Sequence, residues 1–126
     1  MEEKVRIKKH PYFYVKNFTV GANQTVVDSL SIDDHDFVAL ELNRTSSGSF
    51  QLKIIATGED RQYTNDWVNE DNFFGYATAT TGKRAYRLPV PMRFPARTVI
   101  NFEIKDTSGS SNTIQIALIG YKRIQQ

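Results

Sequence analysis

The stretch YRLPVPMRFP, residues 86–95, sets proline at 89, 91 and 95 within a strict alternation of large apolar side chains. A helix cannot hold it, because each interior proline removes a donor and clashes with the carbonyl four residues back, at about 3 kcal/mol or more. The segment is therefore extended, and in an extended chain successive side chains point to opposite faces. Leu88, Val90, Met92 and Phe94 then share a core face, while Arg87, Pro89, Pro91 and Arg93 share the surface. The donors missing at Pro89 and Pro91 are missing from the same side of the strand, so that side cannot be fully paired. Proline in sheets is largely confined to edges, strand starts and bulges. The pattern predicts an edge strand, one that also resists unwanted pairing with other chains.

The rest of the chain repeats the extended theme. Runs of alternating, β-branched and aromatic residues at 12–20, 24–32, 36–43, 49–57, 86–94, 98–106 and 113–124 are separated by turn-like clusters, the signature of an all-β sandwich or barrel. Gly21-Ala22-Asn23, Ser46-Ser47-Gly48 and the polar run 106–112 supply the turns, with Gly giving unusual backbone angles and Ser, Asn and Asp capping local N–H groups. Short Gly-bearing loops predict two hairpins, 36–43 with 49–57 and 98–106 with 113–124. In 113–121 the second face carries Ala117, Ile119 and Tyr121, so it is expected to be covered by another element or by a neighbouring subunit. Residues 58–85 break the rhythm. A loop longer than about 12–15 residues is usually functional or contains structure of its own, and a short strand at 73–80 fits FFGYATAT.

The first ten residues, MEEKVRIKKH, are mostly charged and predict a short basic arm, mobile on its own, ahead of a single domain spanning 11–126. A chain of 126 residues is long enough for one well-filled core. It has no Cys, which excludes disulfides and thiolate metal sites and leaves the redox compartment open. Its 16 basic and 14 acidic residues make a mixed surface, not a field that calls for nucleic acid. No run reaches the length of a membrane span, and MEEKVRIKKHP has no apolar core of a secretory signal. The expectation is a soluble protein made in the cytoplasm, with neither membrane nor nucleic acid as its partner.

Catalytic and metal chemistry find little support. Asp33-Asp34-His35-Asp36 is the densest set of ligand-type side chains, but the Gly and the later Glu of a calcium loop are not in place, and a solvated turn is the reading. With His10 and His35 the only imidazoles, a multi-His zinc site is excluded. No nucleophile elbow appears, Glu59-Asp60 and Glu70-Asp71 give no reason for shifted pKa values, and Gly82-Lys83 lacks the P-loop spacing. The sequons at Asn17, Asn23 and Asn43 read as accidental without a signal. What remains is interaction: Lys4, Arg6, Lys8 and Lys9 in the arm, and Trp67, Phe73, Phe74 and Tyr76, with Tyr63, in the long loop. Such rings anchor a loop, meet another subunit or stack on sugars.

A Gly-containing loop FFGYATATTG, the strand RLPVPMRFP, the strand TVINFEIKDTSG and the closing strand SSNTIQIALIGYKRI follow one another through the second half of the chain. In that order they resemble the small β-sandwich virion proteins of tailed bacteriophages, of the decoration, cement and collar type. The resemblance implies a jelly-roll-like antiparallel sandwich carried in many copies on a virion and synthesised in the bacterial host cytoplasm. It implies no catalytic residues, cofactor or metal, and as partners the major capsid protein or other virion proteins, with further copies of itself in the particle. A neck or tail component is one alternative. A carbohydrate-binding module, with the loop aromatics stacking on sugar rings, is the other.

Overall fold

In a computed structural model, residues 6–57, 61–70 and 86–125 are described. They form β1 (Ile7–Val20), β2 (Thr25–Ser31), β3 (Asp36–Ser46), β4 (Phe50–Thr57), β5 (Arg61–Gln62), β6 (Val68–Asn69), β7 (Tyr86–Phe94), β8 (Val99–Asp106) and β9 (Asn112–Gln125). One sheet has the order β1-β9-β3-β7 and the other β2-β8-β4-β5, with β6 also on β4. All pairings are antiparallel and nested: β1 with β9, β2 with β8, β3 with β7, and β4 with the short β5 and β6. A ribbon of nested pairs wound over two layers is a jelly roll.

Period-two burial fills the space between the layers. Tyr14, Phe18 and Val20 of β1 and Ile114, Ile116 and Leu118 of β9 point inward from one sheet. Leu52, Ile54 and Ala56 of β4 and Ile100, Phe102 and Ile104 of β8 meet them from the other. Phe18 and Phe102 touch edge-on across the layers at 5.8 Å, and burial of each such ring contributes roughly 1.5–3 kcal/mol.

Among the described residues the Pro-bearing strand β7 pairs with β3 alone, at the edge of its sheet, in keeping with its missing donors. Its register jumps: Ala39 faces Met92, yet Glu41 faces Arg87. Residues 88–91, both prolines included, therefore bulge out opposite Leu40. The expected common face survives at Phe94, which is buried, and partly at Leu88 and Met92, which pack against the core. It fails at Val90, 74% exposed, because the bulge carries that residue off the pleat. Leu40 is also an extra residue against β9, where Ala39 faces Gly120 and Glu41 faces Ile119. The bulge presses the β3 backbone onto β9 at Gly120, where an added Cβ would overlap the Val38 carbonyl oxygen and lie 3.0 Å from the Ala39 Cα.

Both expected hairpins are corrected. β3 and β4 lie in different sheets, as do β8 and β9, so the loops after Ser46 and Asp106 are corners between layers. Alternating burial is the same for either arrangement, and the loops hold hydrogen-bonding residues that serve either turn. What holds the corners is a buried pair, Asp106 and Asn112. The Asp106 carboxylate accepts from the Asn23 N–H (2.8 Å), the Gly109 N–H (3.1 Å), the Ser108 hydroxyl (2.6 Å) and the Asn112 amide (3.1 Å). Asn112 also donates to the Ser49 carbonyl (3.0 Å) and accepts from the Gly48 N–H (3.1 Å). The turn at 21–24, where Asn23 takes a positive φ of 57°, is thereby tied to both corners.

The boundary of the N-terminal arm also moves. Residues 7–10, read as part of a mobile arm, belong to β1 and pair in register with 122–125 of β9. A run of charges on a strand end exposed on both faces has the composition of a tail. The strand expected at 73–80 lies outside the described residues.

Two outcomes follow from this geometry. Gly120→Ala lowers stability by about 3 kcal/mol, since rigid backbone rather than a side chain must yield, and a urea titration reads it directly. Asp106 is held well below the ordinary carboxylate range by the Ser108 hydroxyl, then by the Asn23 N–H, the Ser108 N–H and the Asn112 amide, against the opposing effect of desolvation. A depressed folded-state pKa gives stability that is full above the unfolded value of about 3.9 and is lost as pH falls below it. Asp106→Asn is therefore less stable at pH 7 and loses less on acidification; parallel stability–pH curves for the two proteins are the contrary result.

Candidate functional site: the outer face of the Pro-edged sheet

On β1 the residues that alternate with the core point outward: Ile7, Lys9, Phe13 and Val15. Register places Lys9 beside Arg123, Phe13 beside Ile119 and Val15 beside Ala117 on β9. Phe13 is 59% and Val15 41% exposed, and Ala117, Ile119 and Tyr121 are half-buried on the same face. No described strand lies over them, so among the described residues this face has no cover of its own. The opposite sheet differs: its outer face is mixed, with Gln51 and Lys53 on β4 and Asn101, Glu103 and Lys105 on β8 standing among the half-buried Ile55 and Val99. Val27, exposed on β2, stands there beside Glu103.

Toward β7 the apolar face gives way to cations. Arg93 faces Val38, and Val38 faces Tyr121. Around them lies a depression of about 430 Å³ bordered also by Ile7, Lys9, Pro91 and Arg123. Val38 is buried at its floor, and the Lys9 ammonium stands 5.1 Å from the Tyr121 ring centre. Arg93 is tied at 3.1 Å to Asp36, whose other oxygen accepts the Ala96 N–H at 3.0 Å. Asp36 is held below the usual aspartate range, first by that N–H, then, against desolvation, by Arg93 and by the charge of Arg123.

The acidic cluster at 33–36 does not converge on one point. Asp33 takes Lys122 at 3.1 Å, Asp34 lies 3.7 Å from Arg97, and Asp36 takes Arg93. Among the described residues no group of three or more potential ligands gathers. Lys122 is part of a structural knot at the sandwich end: its ammonium lies 3.8 Å from the Tyr12 ring centre, and Asp33 donates its N–H to the Tyr14 hydroxyl at 3.0 Å. Burial raises the pKa of that hydroxyl, the Asp33 N–H acting in the opposite direction.

The residues singled out in the sequence are scattered by the fold. Arg6, Lys8 and Lys9 are exposed at the start of β1 and Lys4 lies outside the described residues. Tyr63 turns inward and meets Phe94 edge-on at 5.6 Å. Trp67 is half-buried over the other sheet, with the Lys53 and Lys105 ammonium groups 4.8 and 5.7 Å from its ring centre. Phe73, Phe74 and Tyr76 lie outside the described residues. The single loop platform that the sequence suggested thus has its described members on different sides of the molecule. Val38, Tyr121, Arg93 and Arg123 were not gathered by sequence reasoning. The only signal was the apolar second face of β9; that Arg93 would stand beside Arg123 depends on the pairing of β7 with β3. Comparison with protein-family models and with curated proteins finds no match.

The Lys122 knot has a measurable weight. Lys122→Met keeps an apolar stem over Tyr12 and removes the charge; with Asp33 largely in solvent, the loss is about 1 kcal/mol, read as a shift in the denaturant midpoint.

Proposed function

We propose that this chain is a non-enzymatic virion structural protein of a tailed bacteriophage, a capsid decoration or cement protein that binds the shell through protein–protein contacts. The observation that carries this reading is the outer face of the β1-β9-β3-β7 sheet, where Phe13 and Val15 stand in solvent beside Ala117 and Ile119. Contiguous apolar surface rimmed by charge marks interaction sites in soluble proteins. The two-sheet jelly roll supports it, being an architecture used by viral capsid domains and by lectins, although a fold by itself assigns no job. A standard interface buries about 800 Å² on each partner, roughly a tenth of the 7781 Å² surface of this chain. The carbohydrate-binding alternative draws on Trp67, but two lysines stand over that ring, where a sugar face has to stack.

The test is attachment to particles. Wild-type protein added to shells that lack it sediments with them and appears at regular positions by electron microscopy. Phe13→Asp combined with Val15→Asp cuts that occupancy at least about tenfold while changing stability by no more than about 0.5 kcal/mol, as surface substitutions do. Full occupancy by the double variant, or a wild-type protein that stays in the supernatant, overturns the proposal.

A further inference from the structure

The depression around Val38 is the middle part of a longer groove. Ile7 and Arg123 border it and also a depression of about 330 Å³ that reaches His35 and Asp36. On the other side, Pro91 and Arg93 border it and also a third, of about 370 Å³, formed by Tyr63, Met92 and the bulged Leu88, Pro89 and Val90. The groove thus crosses the sheet from the β1–β9 end to the β7 edge, and its chemistry is graded. The β7 end is aliphatic and the middle is cationic. At the far end Asp34 and Asp36 face Arg123. Arg93 is compensated by Asp36, whereas Lys9 and Arg123 make no ion pair among the described residues.

We infer that this groove binds an extended acidic peptide segment of a partner protein, with an aliphatic side chain seated on Leu88–Met92 and a carboxylate at Lys9 and Arg123. Charge complementarity picks the carboxylate, since Lys9 and Arg123 stand beside an apolar floor without an ion pair among the described residues, and the one carboxylate whose charge Arg123 shares, Asp36, is already bound to Arg93. Extended geometry picks the peptide: side chains two residues apart share one face at about 6–7 Å, so one strand can present an aliphatic group and an acid to adjoining parts of the groove. Residues 88–91 also have no register partner in β3 apart from the bulge. Their prolines lack N–H groups, so carbonyl oxygens dominate what that backbone offers to an incoming N–H. A polyphosphate backbone fits poorly, because its repeated charges would run on past Lys9 and Arg123 to Asp34 and Asp36, whereas a peptide brings a single carboxylate. A sugar finds two rings in the groove, Tyr121 with Lys9 over it and Tyr63 turned against Phe94. The inference adds the partner's chemistry to the protein-binding reading above, but its test uses the isolated protein and no particle.

The experiment is selection of random ten-residue peptides, displayed as a library, on the immobilised full chain. The retained peptides carry Asp or Glu two residues from Leu, Ile or Val. The most enriched one, titrated into isotope-labelled protein, shifts the amide signals of Lys9, Val38, Tyr121 and Arg123. Lys9→Glu with Arg123→Glu weakens its binding by roughly tenfold or more, and Val90→Asp, at an exposed position, weakens it independently; circular dichroism verifies that both variants remain folded. No enrichment, peptides without acids, unchanged affinity for the charge-reversed protein, or shifts confined to the other sheet would each overturn the inference. So would concentration-dependent self-association abolished by the same charge reversals, which would make a second copy the occupant. Failure of particle attachment alongside successful selection removes the virion reading and leaves the groove standing.

Discussion

Two layers of strands stay in register only if the corners between them are fixed, and here one buried carboxylate–amide pair fixes several at once. Asp106 ends β8 and Asn112 begins β9, and between them they satisfy backbone groups of the turn at 21–24 and of the corners at 47–49 and 107–111. Buried polar groups are tolerable only when hydrogen-bonded, and this pair exceeds that minimum. The Asp106 backbone N–H is used as well, donating to the Gln24 carbonyl at 2.9 Å. Because the same atoms hold separate corners, loosening one releases the others. The hydrophobic layer between the sheets supplies the driving force for collapse, but it is non-directional. The corner pair decides which strand enters which layer.

That division explains what could be read in advance. Strand existence follows from alternation, and the edge position of β7 follows from donors that Pro89 and Pro91 lack; both are local properties. Pairing partners are not local. The run TVINFEIKD followed by a Gly-Ser loop and TIQIALIG buries the same Ile and Phe side chains whether its strands lie side by side or in opposing layers. Asp106 and Asn112 look like ordinary turn formers until their burial is known. Val90 shows the same limit on a smaller scale: its place in the alternation is correct, and the break in register between β3 and β7 moves it into solvent.

The candidate site was legible in part for a similar reason. Ala117, Ile119 and Tyr121 gave away an apolar second face on β9 through their spacing alone. Phe13 and Val15 complete it only because β1 runs antiparallel alongside, from Ile7 opposite Gln125 to Val20 opposite Asn112. By composition Lys9 belongs to a charged tail; as a strand residue beside Arg123 its charge has a fixed position. The loop aromatics went the other way. Local composition grouped them, and the fold packed Tyr63 against the core and sent Trp67 to the opposite sheet.

A sandwich that works by adhesion must expose apolar surface without polymerising through its open edges. Here the two demands are met by different surfaces. Pro89 and Pro91 deprive the β7 edge of consecutive donors, so another strand cannot add to it as a regular ladder. On the opposite flank, Lys16 of β1 reaches Asp28 of β2 at 3.2 Å, placing an ion pair between the layers where, among the described residues, both edges are open. The bulge that accommodates the prolines also opens the aliphatic end of the groove, so a single backbone irregularity blocks the edge and shapes the face. On the reading proposed above, adhesion is directed perpendicular to the sheet, through side chains, where shape and charge select the partner.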